Sequence, residues 1–317
     1  MDSETTRYVF GPVPSRRLGR SLGVDLVPFK TCSHDCVYCQ LGRTTNKTAQ
    51  RAEYVPTDVV IEQLREALGG SDRPDSVTLA GSGEPTLHSG FGEVIAAVKQ
   101  LTDAPVTVLT NGSLFDQPDV RQACGLADRI VPSLDAGIEE TFQRVNRPAP
   151  GLTLARHVDG LVAFRDGYRG QLWLEIMLVE GVNDSDPEIA EMRSLVDRIR
   201  PDRLQLNTVI RPPAEDVAQP VSPARMAEIA ATFGPLAEVI ADYQAEQATS
   251  DVTRRREDVL AALERRPCTL DDVAAGLGIH RNEAIKHLTY LLNAGQIARV
   301  RRGDDEYYQP ASRTPSP

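Results

Sequence analysis

The chain has 317 residues, 41% of them hydrophobic and 25% charged, with a formal net charge of −10. That balance belongs to an ordinary globular protein, and no stretch approaches the ~18 consecutive apolar residues of a membrane span, so a membrane protein is not expected. The acidic excess argues against a protein that coats nucleic acid through its phosphates, and the length predicts one large domain with a smaller one.

The first segment, Met1-Asp2-Ser3-Glu4-Thr5-Thr6-Arg7, is acidic where a secretory leader would be basic and then apolar, which makes a cytoplasmic protein the default. From residue 22 to 240, short β-rich runs alternate with longer helical patterns. The runs lie at 22–27, 76–80, 106–110, 129–134, 172–179 and 203–208, each apolar enough to be covered on both faces, as parallel strands are. Helical periodicity occupies 57–68, 92–101, 155–165 and 186–199, with apolar residues returning every three or four positions. Six strands in repeated βα units predict an α/β fold, a partial (β/α)6 TIM-like barrel.

A Gln- and Ala-rich break at 242–250 divides the chain into domains at 1–248 and 249–312, with a Pro- and Ser-rich tail at 313–317 expected to be disordered. Past the break, helices are predicted over 255–265, 270–277 and 282–293. Thr269 and Asp272 make a capping signal for the second, and Gly278 stops it. Strands at 296–302 and 306–309 join across Gly303-Asp304-Asp305 as a hairpin. Three helices and a hairpin resemble a winged helix-turn-helix. The two parts differ in charge: residues 1–248 carry 24 basic and 35 acidic side chains, and residues 249–317 carry 11 and 10. Arg281, Lys286 and His287 on or beside the third helix, with Arg299, Arg301 and Arg302 on the wing, form a candidate nucleic-acid contact set. Asp304, Asp305 and Glu306 at the wing tip point instead to protein contacts.

In a barrel of this kind the chemistry sits on loops beyond the carboxyl ends of the strands. Those loops read Lys30-Thr31-Cys32, Gly81-Ser82-Gly83-Glu84-Pro85, Asn111-Gly112-Ser113, Asp135-Ala136-Gly137 and Glu180-Gly181-Val182-Asn183-Asp184. Plain turns use the same residue types, so the weight lies in the alignment of all five with the cysteines. Three of the five cysteines fall within Cys32-Ser33-His34-Asp35-Cys36-Val37-Tyr38-Cys39, while Cys124 and Cys268 stand alone. This is no disulfide framework. A closed structural zinc site takes four ligands, whereas a cubane on three thiolates leaves one iron open to a substrate.

The Cys-x3-Cys-x2-Cys loop, with aromatic Tyr38 before its last cysteine, resembles the signature of the radical S-adenosylmethionine superfamily, over roughly residues 8–240. The resemblance implies a [4Fe–4S] cluster on Cys32, Cys36 and Cys39, with S-adenosylmethionine chelating the fourth iron. It also implies reductive cleavage of that nucleotide to a 5′-deoxyadenosyl radical that abstracts hydrogen, fed by a flavodoxin- or ferredoxin-like donor. By the same resemblance Gly81, Ser82, Gly83, Glu84 and Pro85 form the segment that meets the methionine amino group. Tyr38 would lie against adenine, Asn111 and Ser133 near ribose and carboxylate, and Asn183 in the loop after the fifth strand. His34 sits between cysteines already at the family spacing and is read as a non-ligand. Glu175 interrupts an apolar run and faces either the barrel or solvent.

Val13-Pro14-Ser15-Arg16-Arg17-Leu18-Gly19, Lys30, Gly83-Glu84-Pro85-Thr86-Leu87-His88 and Asn146-Arg147-Pro148 are similar to the group containing tRNA wyosine-base (4-demethylwyosine) synthases. Those enzymes carry a second cluster on cysteines N-terminal to the first, and here no cysteine precedes Cys32. The expectation is a single-cluster relative acting on RNA, or on a peptide or small metabolite, with Arg16, Arg17 and Arg147 as candidates for an anionic substrate. A metal-sensing DNA-binding regulator is the rival from another class; it needs no nucleotide site.

Overall fold

The computed structural model describes residues 6–15, 17–70, 73–210, 213–240, 250–302 and 305–311. The expectations placed on Arg16, Asp304, most of the 242–250 break and the 313–317 tail lie outside these residues.

An antiparallel hairpin opens the fold, β1 (Val9–Ser15) with β2 (Gly19–Val24). The cysteine loop follows, where β3 (Thr31–Cys32) bridges β4 (Asn46–Lys47). Then come α1 (Thr57–Leu68), β5 (Ser76–Leu79), α2 (Phe91–Leu101), β6 (Val106–Thr110), α3 (Pro118–Cys124), β7 (Arg129–Pro132), α4 (Glu139–Val145) and α5 (Leu154–Gly167). The large unit closes with β8 (Gln171–Leu178), α6 (Asp186–Ile199), β9 (Arg203–Thr208), α7 (Pro223–Phe233) and β10 (Ala237–Val239). The sheet runs β1-β2-β5-β6-β7-β8-β9-β10, and every neighbouring pair after β1·β2 is parallel.

The six expected strands are therefore the middle of an eight-stranded sheet. β1 escaped the sequence because Gly11, Pro12 and Pro14 break its β pattern, and such residues are tolerated only on an edge, which is where β1 lies. Two short helices were also missed: α3 and α4 span 7 residues each, too few for a period to register. In α2 the buried Phe91, Val94, Ile95 and Val98 recur at helical spacing and face the sheet core. Burying Phe91 fully contributes roughly 2–3 kcal/mol.

From β1·β2 the chain reaches the far strands. Arg17, in the hairpin turn, donates to Glu175 of β8 and, at 2.8 Å, to Gln205 of β9, while Leu18 packs with Val131 and Trp173. Side chains from both ends of the strand order thus meet over one face.

The second unit has α8 (Ser250–Arg265), α9 (Leu270–Leu277), α10 (Arg281–Asn293) and the antiparallel pair β11 (Ile297–Arg302) and β12 (Asp305–Pro310). The Thr269/Asp272 capping box forms as expected, and Gly278 ends α9 at φ +61°. Val259, Leu263, Val273, Ala284, Leu288, Leu291 and Ile297 make a core separate from that of the sheet. Among the described residues no helix is long and apolar enough to cross a membrane.

Candidate active site

A cavity of about 420 Å³ opens beyond the carboxyl ends of the strands, where loops vary over a fixed sheet. Cys32, Tyr38, Cys39, Gly81, Gly83, Glu84, Asn111 and Ser133 line it, so the cysteine loop and the expected nucleotide-facing residues converge on one space. Glu175 turns inward to the same cavity, which settles its orientation.

The cysteine loop is laced to the glycine-rich loop by backbone bonds: Lys30 N–H donates to the Ser82 carbonyl at 2.7 Å and Glu84 N–H to the Thr31 carbonyl at 3.2 Å. Gly83 is required there, because a Cβ would stand 1.7 Å from the Thr31 oxygen. Behind the loop, Val37 N–H donates to the Val145 carbonyl at 2.9 Å and Asp35 N–H to Asn146 at 3.0 Å, fixing the cysteines against the end of α4.

Each cysteine sulfur has a donor aimed at it. Asn111 Nδ2 lies 3.5 Å from Cys32 Sγ, Asn146 Nδ2 3.5 Å from Cys36 Sγ, and Lys30 Nζ 3.3 Å from Cys39 Sγ. A thiol sulfur accepts weakly, while a thiolate ligand accepts well, and donors to sulfur are how a protein tunes an iron–sulfur cluster. Burial, and then the neighbouring Glu84 carboxylate, push the Cys32 thiol up to about 12. Burial, then Asp135, likewise raises Cys36 well above an ordinary thiol. Both would stay protonated without a cation, and a bound metal offsets that cost. No group of three His, Cys, Asp or Glu side chains among the described residues is arranged to hold a single metal ion. The chemistry of the donor set, three cysteine sulfurs each faced by an N–H donor, is the kind that suits an iron–sulfur group. His34 is buried beside them with its ring edge-on to Phe142, away from the cavity.

Tyr38 is held by its hydroxyl, which donates to Asp135; the same carboxylate accepts from Asn146 Nδ2 at 2.7 Å and Met177 N–H at 2.9 Å. Burial raises Asp135 to about 6 against the pull of these donors. Glu84 accepts from the Thr110 and Thr86 hydroxyls and the Asn111 N–H, all at 2.6 Å, and so ties the glycine-rich loop to the end of β6. Burial nonetheless raises its carboxyl above the usual range. Ser82 and Pro85 stand behind the lining: Ser82 is anchored on Asp25 and Pro85 opens a buried turn.

Asn183 is expected at the nucleotide, and the structure gives it other work. Fully buried, it accepts from Val179 N–H at 2.7 Å and donates to the Asp135 and Met177 carbonyls at 2.8 Å, pinning the loop after β8 from behind. Arg17 is paired with Glu175, and Arg147 with Glu215 at 2.8 Å. Sequence reasoning missed Asp25 as an anchor and the sulfur-directed roles of Lys30 and Asn146. An acid inside the apolar run at 22–27 was the available signal for the first.

Comparison with known proteins places the chain in a family. Residues 26–192 match the model of the Radical SAM superfamily. A Helicobacter pylori protein named UPF0026 protein is 35% identical over 312 residues, 97% of this chain and 99% of that one. A Brachyspira hyodysenteriae protein named GTPase Obg is 36% identical over 297 residues, 92% of this chain; this chain spans only 43% of it. Streptococcus suis SuiB, solved with S-adenosylmethionine bound, shares the fold at a TM-score of 0.52 and 15% identity, over 69% of this chain and 50% of that one. With more than half its length under that family model, this chain belongs to the radical SAM superfamily.

Proposed function

We propose that the protein carries one [4Fe–4S] cluster on Cys32, Cys36 and Cys39 and cleaves S-adenosylmethionine reductively. The observation that carries this is the set of three donors, Asn111, Asn146 and Lys30, each directed at a different sulfur. When bound, the cluster supplies the electron that splits the sulfonium into methionine and a 5′-deoxyadenosyl radical.

The chain's residues do the rest. Gly81 and Gly83 let the backbone approach the methionine end closely, and Glu84 holds that loop and Asn111 in register. Tyr38, clamped by Asp135, presents its ring toward the adenine, with Ser133 near the ribose. Leu109, Val131, Met177 and Val209 give the cavity an apolar wall that limits water around a reactive species. The curvature implied by Arg17 reaching β8 and β9 supports a partial (β/α)6-type barrel widened by the edge strands β1 and β10. The 250–310 unit has the element order of a winged helix. The electron donor is proposed to be a flavodoxin- or ferredoxin-like protein, and the acceptor of the radical an RNA, a peptide or a small metabolite.

The test is anaerobic reconstitution with iron and sulfide, followed by S-adenosylmethionine and dithionite. 5′-Deoxyadenosine is the expected product, and Cys36→Ala should lose both the brown chromophore and the product. A Cys36→Ala protein that still turns over would refute the ligand set.

A further inference from the structure

The second unit meets the first through the start of α10, beside the glycine-rich loop. The His280 ring stacks on Phe10 of β1 at 4.3 Å, nearly parallel, and the Arg281 guanidinium lies 4.3 Å over the Phe29 ring. His280 Nε2 is 3.2 Å from Asp25 Oδ2, and Asn282 Nδ2 is 3.5 Å from the same oxygen. His280 Nδ1 accepts the Asn282 backbone N–H at 3.2 Å. That nitrogen therefore carries no proton, and the ring proton sits on Nε2, aimed at Asp25.

Asp25 is buried at the end of β2, and it is also the anchor of the glycine-rich loop. Its Oδ1 accepts Ser82 N–H at 3.0 Å and its Oδ2 accepts the Ser82 hydroxyl. Its carboxyl occupies the space a side chain on Gly81 would need, 2.6 Å from an ideal Cβ. One buried carboxylate thus takes donors from the nucleotide-facing loop on one side and from α10 on the other. A buried charge is costly unless such donors surround it, so losing the α10 pair weakens the hold on Ser82. One turn further along α10, Lys286 joins Asn282 in lining the same cavity as Cys32, Cys39 and Gly83.

We propose that α10 is a wall of the active site and that His280 and Asn282 are positioning residues, holding the Gly81-Ser82-Gly83 loop for S-adenosylmethionine through Asp25. The inference rests on reading that loop as the nucleotide loop. It also gives the first turn of α10 a use other than contacting nucleic acid: Arg281 is engaged by Phe29 and by Asp271, and His287 is buried near Glu283 at 3.8 Å.

The experiment compares reconstituted full-length wild type, His280→Ala/Asn282→Ala, His280→Gln, and Glu257→Ala, at an exposed position of α8, as control. S-adenosylmethionine binding is measured by equilibrium dialysis, and amide hydrogen exchange is followed at residues 81–84. The double variant should bind about tenfold more weakly, the worth of one charge-assisted hydrogen bond. Its residues 81–84 should exchange faster, while the strands β6 and β7 keep their protection. His280→Gln, which keeps a donor for Asp25, should recover most of the affinity, and Glu257→Ala should match wild type. Equal affinity and unchanged exchange in the double variant overturn the proposal. So does a loss of affinity that His280→Gln fails to recover. Wild type that binds no S-adenosylmethionine overturns the functional reading itself, a result distinct from either.

Discussion

Gly83→Ala puts the site's construction to a quantitative test. The added Cβ would stand 1.7 Å from the Thr31 carbonyl oxygen, and relieving that contact requires the glycine-rich loop and the cysteine loop to part by more than 1 Å, as an order-of-magnitude estimate from normal contact distances. Two hydrogen bonds cross this seam, Lys30 N–H to Ser82 at 2.7 Å and Glu84 N–H to Thr31 at 3.2 Å, and such a separation loses both. At about 1 kcal/mol each, with a similar amount for strain in a packed region, the cost is about 3 kcal/mol. For a chain of this size that lowers Tm by roughly 4–5 °C. The functional loss should be larger than the stability loss implies, because the displaced atoms line the cavity. Reconstituted Gly83→Ala should bind S-adenosylmethionine at least tenfold more weakly, by equilibrium dialysis, at temperatures where its circular dichroism is native. Unchanged Tm and affinity would show that the two loops are not locked together as described.

Other perturbations probe separate parts of the account. Lys30→Met removes a cation 3.3 Å from Cys39 Sγ and should move the cluster midpoint to a more negative potential in an electron paramagnetic resonance titration; an equal or more positive midpoint counts against the contact. Arg17→Ala withdraws the Glu175 partner and should destabilise the fold by about 2 kcal/mol in urea unfolding, whereas no change would leave the hairpin turn without a part in joining β1·β2 to β8. His157 is buried, with its pKa lowered from 6.5 to about 4 by desolvation. The unfolded chain takes up that proton first as pH falls, so stability is lost from about pH 6.5 down toward 4. His157→Phe should flatten the decline between pH 7 and pH 5 by about 2 kcal/mol, and an unaltered slope would assign it to other groups.

The cysteine loop was readable because its three cysteines lie within one short stretch, 32–39, whose spacing is local to the chain. The strands β5 to β9 were readable because they are short runs rich in apolar and β-branched residues, such as Val106–Thr110, which is buried at all but one position. What depends on distant contacts was not. β1 becomes a strand by pairing with β2 despite its prolines, and Arg17 finds Glu175 across 158 positions of chain. Asn183 carried the right residue type in the right loop, yet a buried asparagine serves backbone groups as readily as a ligand, and here it serves Val179, Asp135 and Met177. Asp25 read as part of a strand, and only the folded chain brings Ser82, His280 and Asn282 to it.

The most direct test of the central claim is the metal and sulfide content of anaerobically purified protein, read with the spectrum of its reduced form. Four irons and four acid-labile sulfides per chain are expected, with a reduced-cluster resonance that changes when S-adenosylmethionine is added. Zinc in place of iron, with no labile sulfide, would contradict the account.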